Sequence, residues 1–222
     1  MPPKVYVKVC GLCSTEDASL AVSYGADLLG MVFHQGSSRA VPAETAIAIK
    51  ERHPDKPRVL VFGHDPEEAI LKIYHSLRDM LTYIQVPSDH KGLDKLIETV
   101  SLGKLMPAIA VEDHIDQEGL TRFDDCPLVI FDTAKGRRID GTIDAGGSGK
   151  AFDWNLLKTI ERPYLLAGGL NPMNLQEALE LLDPLGVDVS SGIETSAGIK
   201  DPKKMRTFIE IAEKFKRPLK NQ

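Results

Sequence analysis

Cysteine is scarce in this chain. The three cysteines, at positions 10, 13 and 126 of 222 residues, are too few and too unevenly spaced for a disulfide framework. Long apolar runs are missing as well, and none approaches the ~20 residues that a membrane-spanning helix needs. The opening residues, Met-Pro-Pro-Lys-Val, lack the apolar stretch of a secretory signal. There is no basic excess: the formal net charge of −5 argues against non-specific nucleic-acid binding, which needs a basic face. An anionic small molecule remains compatible with that charge, because local backbone dipoles can hold a phosphate on an acidic protein. The six histidines are scattered, none paired at metal-ligand spacing, and Cys126 has no close Cys or His partner. No linker, low-complexity tract, long repeat or composition shift divides the chain. Together these absences predict one soluble domain over residues 1–222 in a reducing compartment, the cytoplasm. Its partner is expected to be a small molecule, not a nucleic acid or a membrane.

What is present is a rhythm of strand, turn and helix. Apolar, β-branched runs predict strands at Val5–Cys10, Leu28–Phe33, Arg58–Gly63, Met80–Val86, Lys104–Ala110, Pro127–Asp132, Tyr164–Ala167 and Val187–Val189. Between them, a helix opens after Ser14 as N-cap, with Asp17 at its third position, close to a capping box. Further helices are expected at Ala43–Arg52, Pro66–His75, Gly92–Ser101, Asp113–Leu120, Trp154–Glu161, Pro172–Leu182 and Pro202–Lys216. Eight alternating units imply parallel strands joined by right-handed crossovers. An α/β fold in the form of a closed (βα)8 barrel suits these short, even units better than an open doubly wound sheet. Such barrels typically use ~250 residues and manage with ~200. The Gly-rich stretch Thr133–Lys150 is the one long connection, and long connections are often functional.

In such a barrel the site lies where the strands end at their C-termini. That rule selects Cys10, His34, Gly63, Ala110, Asp132, Gly168 and Ser190. Two of the closing turns, Ala167-Gly-Gly-Leu170 and Ser190-Ser-Gly192, are made of small residues that leave backbone N–H groups approachable by an anion. Consecutive turns of that kind suggest a phosphate cradle; the alternative is a pair of tight strand-to-helix turns without a ligand. Strand alternation places Tyr6, Lys8 and Cys10 on one face, assigned to the barrel interior, and Val5, Val7 and Val9 on the other. A buried Lys8 needs a partner, and Asp188 on the neighbouring eighth strand is the candidate. Lys8 would also favour the Cys10 thiolate. Cys10 and Asp132 are then the thiol and carboxyl that divide base and acid work. Each also has a bland reading, as a buried structural thiol and as a loop cap. Cys10-Gly-Leu-Cys13 also matches a redox C-x-x-C. Arg39, in the loop after the second strand, can pair bidentately with a carboxylate or simply lie in solvent.

Val7-Lys-Val-Cys-Gly-Leu12, Gly25-Ala-Asp-Leu-Leu-Gly-Met-Val-Phe33, Ser38-Arg39, Leu60-Val-Phe62, Phe131-Asp132, Gly146-Gly-Ser-Gly149, Phe152-Asp-Trp154, Ala167-Gly-Gly-Leu170, Gly186-Val-Asp-Val-Ser-Ser-Gly-Ile-Glu194 and Gly198-Ile-Lys-Asp201 stand in order along the chain. Taken together they resemble the phosphoribosylanthranilate isomerase family. The resemblance implies a single-domain TIM barrel of tryptophan biosynthesis and a cofactor-free Amadori rearrangement. It implies Asp132 as general acid, Cys10 as general base, and Arg39 facing the anthranilate carboxylate. Gly168, Gly169, Ser191 and Gly192 match turns that hold the phosphate, and Gly146–Gly149 matches a loop that covers the site. Association with other enzymes of the pathway is not legible. The chain departs from the family's Gln-Leu-His-Gly after the fourth strand, where it reads Ile84-Gln-Val-Pro-Ser-Asp-His90, and it has Cys13 where Thr is usual. A Cys10–Cys13 disulfide would silence the base.

Overall fold

A computed structural model describes residues 4–133 and 153–216. Eight parallel strands close into a barrel in sequence order: β1 (Tyr6–Val9), β2 (Leu28–Val32), β3 (Arg58–Val61), β4 (Thr82–Pro87), β5 (Leu105–Val111), β6 (Val129–Thr133), β7 (Tyr164–Leu166) and β8 (Gly186–Val189). Closure is made by β8 against β1, with Tyr6 opposite Gly186 and Lys8 opposite Asp188. Around the barrel run α1 (Thr15–Tyr24), α2 (Ala43–Arg52), α3 (Glu67–Leu77), α4 (Leu93–Val100), α5 (Gln117–Leu120), α6 (Leu175–Leu182) and α7 (Pro202–Lys214). A small antiparallel pair, β9 (Glu194–Ser196) and β10 (Ile199–Lys200), lies between β8 and α7.

The strands carry two cores, one on each face. Outward-facing Val7, Val9, Leu29, Leu60, Phe131, Leu166, Val187 and Val189 pack under the helices in one large cluster. The inward faces of β2, β3, β5, β6 and β7 supply a smaller interior cluster of Leu28, Val59, Met106, Ile130, Leu165 and Ala167. Apolar on both faces, the strands read as continuous hydrophobic runs, as buried parallel strands do. Partners in register share a face, so Lys8, Cys10, Asp132 and Asp188 all belong to the interior set. The assignment of the valine face to the helix layer holds.

Several boundaries differ from expectation, for local reasons. The fourth strand runs Thr82–Pro87, later than Met80–Val86, because Asp79 binds Arg58 and the Leu81 amide and so ends the preceding turn. The helix expected at Asp113–Leu120 shrinks to Gln117–Leu120, opened by Asp116 accepting from the Gly119 amide. Trp154–Thr159 is 3-10 rather than α-helical. α6 starts at Leu175 because Asn171 and Asn174 bond the turn ahead of it. Ser14 caps α1 through the Asp17 amide as the pattern predicted. No described helix is long and apolar enough to cross a membrane. Most of the Thr133–Lys150 stretch, including Gly146–Gly149, lies outside the described residues.

Candidate active site

Cys10 stands at the mouth of β1, fastened to both neighbouring strands. Its amide donates to the Val189 carbonyl at 2.8 Å. On the other side its Sγ lies against Gly30 of β2, where an added methyl would come within 3.0 Å of the sulfur. Below it, Lys8 is fully enclosed and donates to Asp188 Oδ2 at 2.7 Å. Burial pulls the Lys8 ammonium down, but Asp188 and Cys10 outweigh it and raise its pKa. Cys10 goes the opposite way from the sequence expectation. Burial pushes the thiol up, and Lys8 and Lys200, which favour the thiolate, only offset part of that. The anticipated lowering by Lys8 is therefore corrected: desolvation wins in so enclosed a position. All three cysteines are free. Cys13 Sγ points to the carbonyls of Gly11 and Arg39, at 3.6 and 3.7 Å. Cys10 and Cys13 are not joined by a disulfide.

Arg39 is not a solvated surface arginine. Its side chain lies over the backbone after Cys10, so that a methyl on Gly11 would fall 2.7 Å from Arg39 Cδ and 2.9 Å from Ser190 Oγ. Its Nε and Nη2 donate to Glu194 Oε1 and Oε2 at 2.9 and 2.7 Å. Lys200, buried, donates to the same Glu194 Oε1 at 2.8 Å and to the Ser190 carbonyl at 3.1 Å. Burial raises the Glu194 carboxyl, but bonds from Arg39 and Lys200 outweigh it and hold the group below its ordinary value. The bond to Glu194 raises Arg39.

The closing turns touch one another. Gly168 has φ +82°, a conformation that side chains avoid, and a methyl there would overlap Thr133 and lie 2.9 Å from Asp132 Oδ1. A methyl on Gly192 would overlap the Leu170 carbonyl oxygen. Asp132, Gly168, Leu170, Gly192, Ser190, Gly11 and Cys10 thus form one arc of close contacts from β6 through β7 and β8 to β1. Ser191 opens the single 3-10 turn Ser191–Ile193 in that arc. Asp132 lies within β6, one residue before its end.

An inward thiol and carboxyl on the same arc as two glycine turns match a known arrangement. The family model for N-(5'-phosphoribosyl)anthranilate isomerase matches residues 7–211. The chain belongs to that family. It is 37% identical over 217 residues to an N-(5'-phosphoribosyl)anthranilate isomerase of Desulforudis audaxviator, covering 93% of this chain and 97% of that one. Its fold is similar to the crystal structure of phosphoribosyl anthranilate isomerase from Thermotoga maritima, with a TM-score of 0.74 at 32% identity, over 95% of this chain and all of that one. A further solved phosphoribosyl anthranilate isomerase, in complex with reduced 1-(o-carboxyphenylamino)-1-deoxyribulose 5-phosphate, aligns at a TM-score of 0.70 and 29% identity, over 95% of this chain and 100% of that one.

Around β4 the chain differs from the isomerase pattern, and the structure shows what the substituted segment does. Gln85 faces inward, its Oε1 buried without a hydrogen-bond partner among the described residues. His90 accepts from the Gly92 amide through Nδ1 and is within 2.8 Å of the Asp65 carbonyl through Nε2, so its ring ties two loops together. His34 leans on Asp65 at 3.1 Å. Sequence reasoning named Arg39, Cys10, Asp132, Lys8 and Asp188 but gave no role to Glu194 or Lys200. Both lay inside quoted motifs, yet nothing in their spacing reveals that a hairpin folds them back over the mouth.

Proposed function

We propose that this chain converts N-(5-phosphoribosyl)anthranilate to 1-(2-carboxyphenylamino)-1-deoxyribulose 5-phosphate, with Cys10 as base and Asp132 as acid. The arc of contacts that puts Asp132, the Gly168 and Gly192 turns and Cys10 around one mouth is the observation that carries this reading. The solved relative holding reduced 1-(o-carboxyphenylamino)-1-deoxyribulose 5-phosphate supports it, since that molecule is the reduced form of the proposed product.

The phosphate is held by the Gly168–Gly169 and Ser191–Gly192 turns, through backbone N–H groups. Arg39 meets the anthranilate carboxylate. Asp132, as the acid, delivers a proton to the ribose ring oxygen. The C1–O bond breaks, and the nitrogen lone pair forms the protonated Schiff base. Cys10, in the thiolate form that is its minor species at neutral pH, then takes the C2 proton, giving an enolamine that becomes the 2-ketone once C1 is protonated and the enol proton departs. Ring opening moves an electron pair within the substrate and the other steps move protons, so atoms and electrons balance without a cofactor. The pair Lys8–Asp188 carries no net charge and serves as a fixed floor beneath the reacting carbon.

The test is turnover of phosphoribosylanthranilate, followed by loss of anthranilate fluorescence with and without reductant. The wild-type chain turns over in both, and Cys10→Ser and Asp132→Asn each lose about 100- to 10,000-fold in kcat. Near-normal rates in both variants would remove the assigned roles. Binding without turnover in the wild type would make the chain a silent barrel.

A further inference from the structure

We infer that Glu194 is a positioning residue that selects which edge of Arg39 receives the substrate's carboxylate; the inference rests on the isomerase reading above. A guanidinium offers two edges that fit a carboxylate, the side edge of Nε and Nη2 and the end edge of Nη1 and Nη2. Glu194 occupies the side edge with both oxygens. No described residue bonds Nη1, so the end edge is the one left for a second carboxylate.

Glu194 is itself held. Its side chain is 4% exposed, and its Oε1 also accepts from the fully buried ammonium of Lys200. Lys200 is anchored on the Ser190 carbonyl, in the turn proposed to hold the phosphate. Lys204 fixes the Glu194 backbone by donating to its carbonyl at 2.8 Å. The arginine that meets one end of the substrate and the turn that meets the other are thus tied to a single carboxylate. Arg39, Lys200 and Glu194 together are two cations around one anion, a cluster with one positive charge to spare. Such a surplus next to the mouth favours an incoming anion over an incoming cation. Arg39 on its own has many rotamers, and holding it on Glu194 removes that freedom before the substrate arrives.

The expected signature is a loss in binding more than in chemistry. Glu194→Gln keeps the shape but presents an amide N–H against one guanidinium N–H. Its KM for phosphoribosylanthranilate rises about ten- to a hundredfold, with kcat changed less, as the loss of a charge-assisted bond predicts. Anthranilate alone, titrated by its own fluorescence, should bind correspondingly more weakly. In an Arg39→Ala background, Glu194→Gln should have no further effect on anthranilate affinity, because Glu194 reaches that carboxylate only through Arg39. Equal losses from Glu194→Gln with and without Arg39 would show a merely structural role and overturn the inference, as would an unchanged KM and anthranilate affinity in the single variant. A wild-type chain that neither turns over nor binds anthranilate overturns the isomerase reading and this inference with it. A wild-type chain that does both, with an indifferent Glu194→Gln, overturns this inference alone.

Discussion

Lys8 and Asp188 face each other across the seam that closes the barrel, Nζ 2.7 Å from Oδ2, on strands that meet only because the eighth returns to the first. The second carboxylate oxygen of Asp188 is buried without a hydrogen-bond partner among the described residues. Removing one member therefore strands the other. Lys8→Met should cost about 3–5 kcal/mol of stability, and Lys8→Met with Asp188→Leu about 2 kcal/mol less than that, since replacing both charges by apolar groups relieves the desolvation. Urea unfolding of the single and double variants measures this. The sign with pH follows from the raised Lys8 pKa. The stabilisation is complete below the ordinary lysine value of about 10.4 and fades only as pH climbs beyond it through the folded value.

Cys10 should react slowly. Its thiol is pushed up by burial, so the thiolate fraction at neutral pH is small. In a Cys13→Ser, Cys126→Ser background, alkylation by iodoacetamide should still be accelerating above pH ~8.5, the free-thiol value. A rate that levels off below pH 7 would show that the ammonium groups of Lys8 and Lys200 dominate instead. Cys126 is also raised by burial, to about 11.

Ala at Gly168 should be worse than Ala at most surface turns. The left-handed backbone and the overlap with Thr133 both oppose a methyl. A loss of about 1–3 kcal/mol in stability is expected from the backbone conformation alone. Because Asp132 Oδ1 lies against that turn, kcat should fall together with phosphate affinity. Thermal unfolding, and inhibition by inorganic phosphate, report the two effects separately.

Far from the mouth, Arg58 is almost wholly buried and donates to both oxygens of Asp79, at 2.7 and 2.6 Å. Burial would raise the Asp79 carboxyl, yet bonds from Arg58, Thr82, Lys50 and the Leu81 amide hold it well below the carboxylate range. A depressed value means stability that is present above about pH 4 and lost as pH falls further towards the folded value. Asp79→Asn should cost about 2 kcal/mol at neutral pH, a figure reduced for the partial exposure of Asp79. It should also flatten the acid limb of a plot of unfolding free energy against pH between about 4 and 2. An acid limb unchanged by the substitution would place the titrating carboxylate elsewhere.

Much of the site was readable because strand alternation is local. Two-residue periodicity in Tyr6–Cys10 assigns Lys8 and Cys10 to one face without reference to the rest of the chain, and β1 shows them there. A buried charge needs a partner, which pointed to Asp188 across the closing seam. The strand-four boundary was not readable, because Met80 precedes the strand apolar but 85% exposed, while the stop comes from Asp79 reaching back to Arg58. Arg39 was placed in the right loop, but its pairing with Glu194 was invisible, since the two are 155 residues apart.

The chain alone determined what nearest neighbours decide: where the apolar runs lie, which side chains share a face, and where small residues open a turn. Only the folded barrel decided quantities that depend on distance through space. It set the thiol of Cys10 above its ordinary pKa, because desolvation grows with enclosure on all sides while attraction to Lys8 acts from one side alone. It also brought Glu194 and Lys200 over the mouth, through a hairpin whose two strands no local pattern announces.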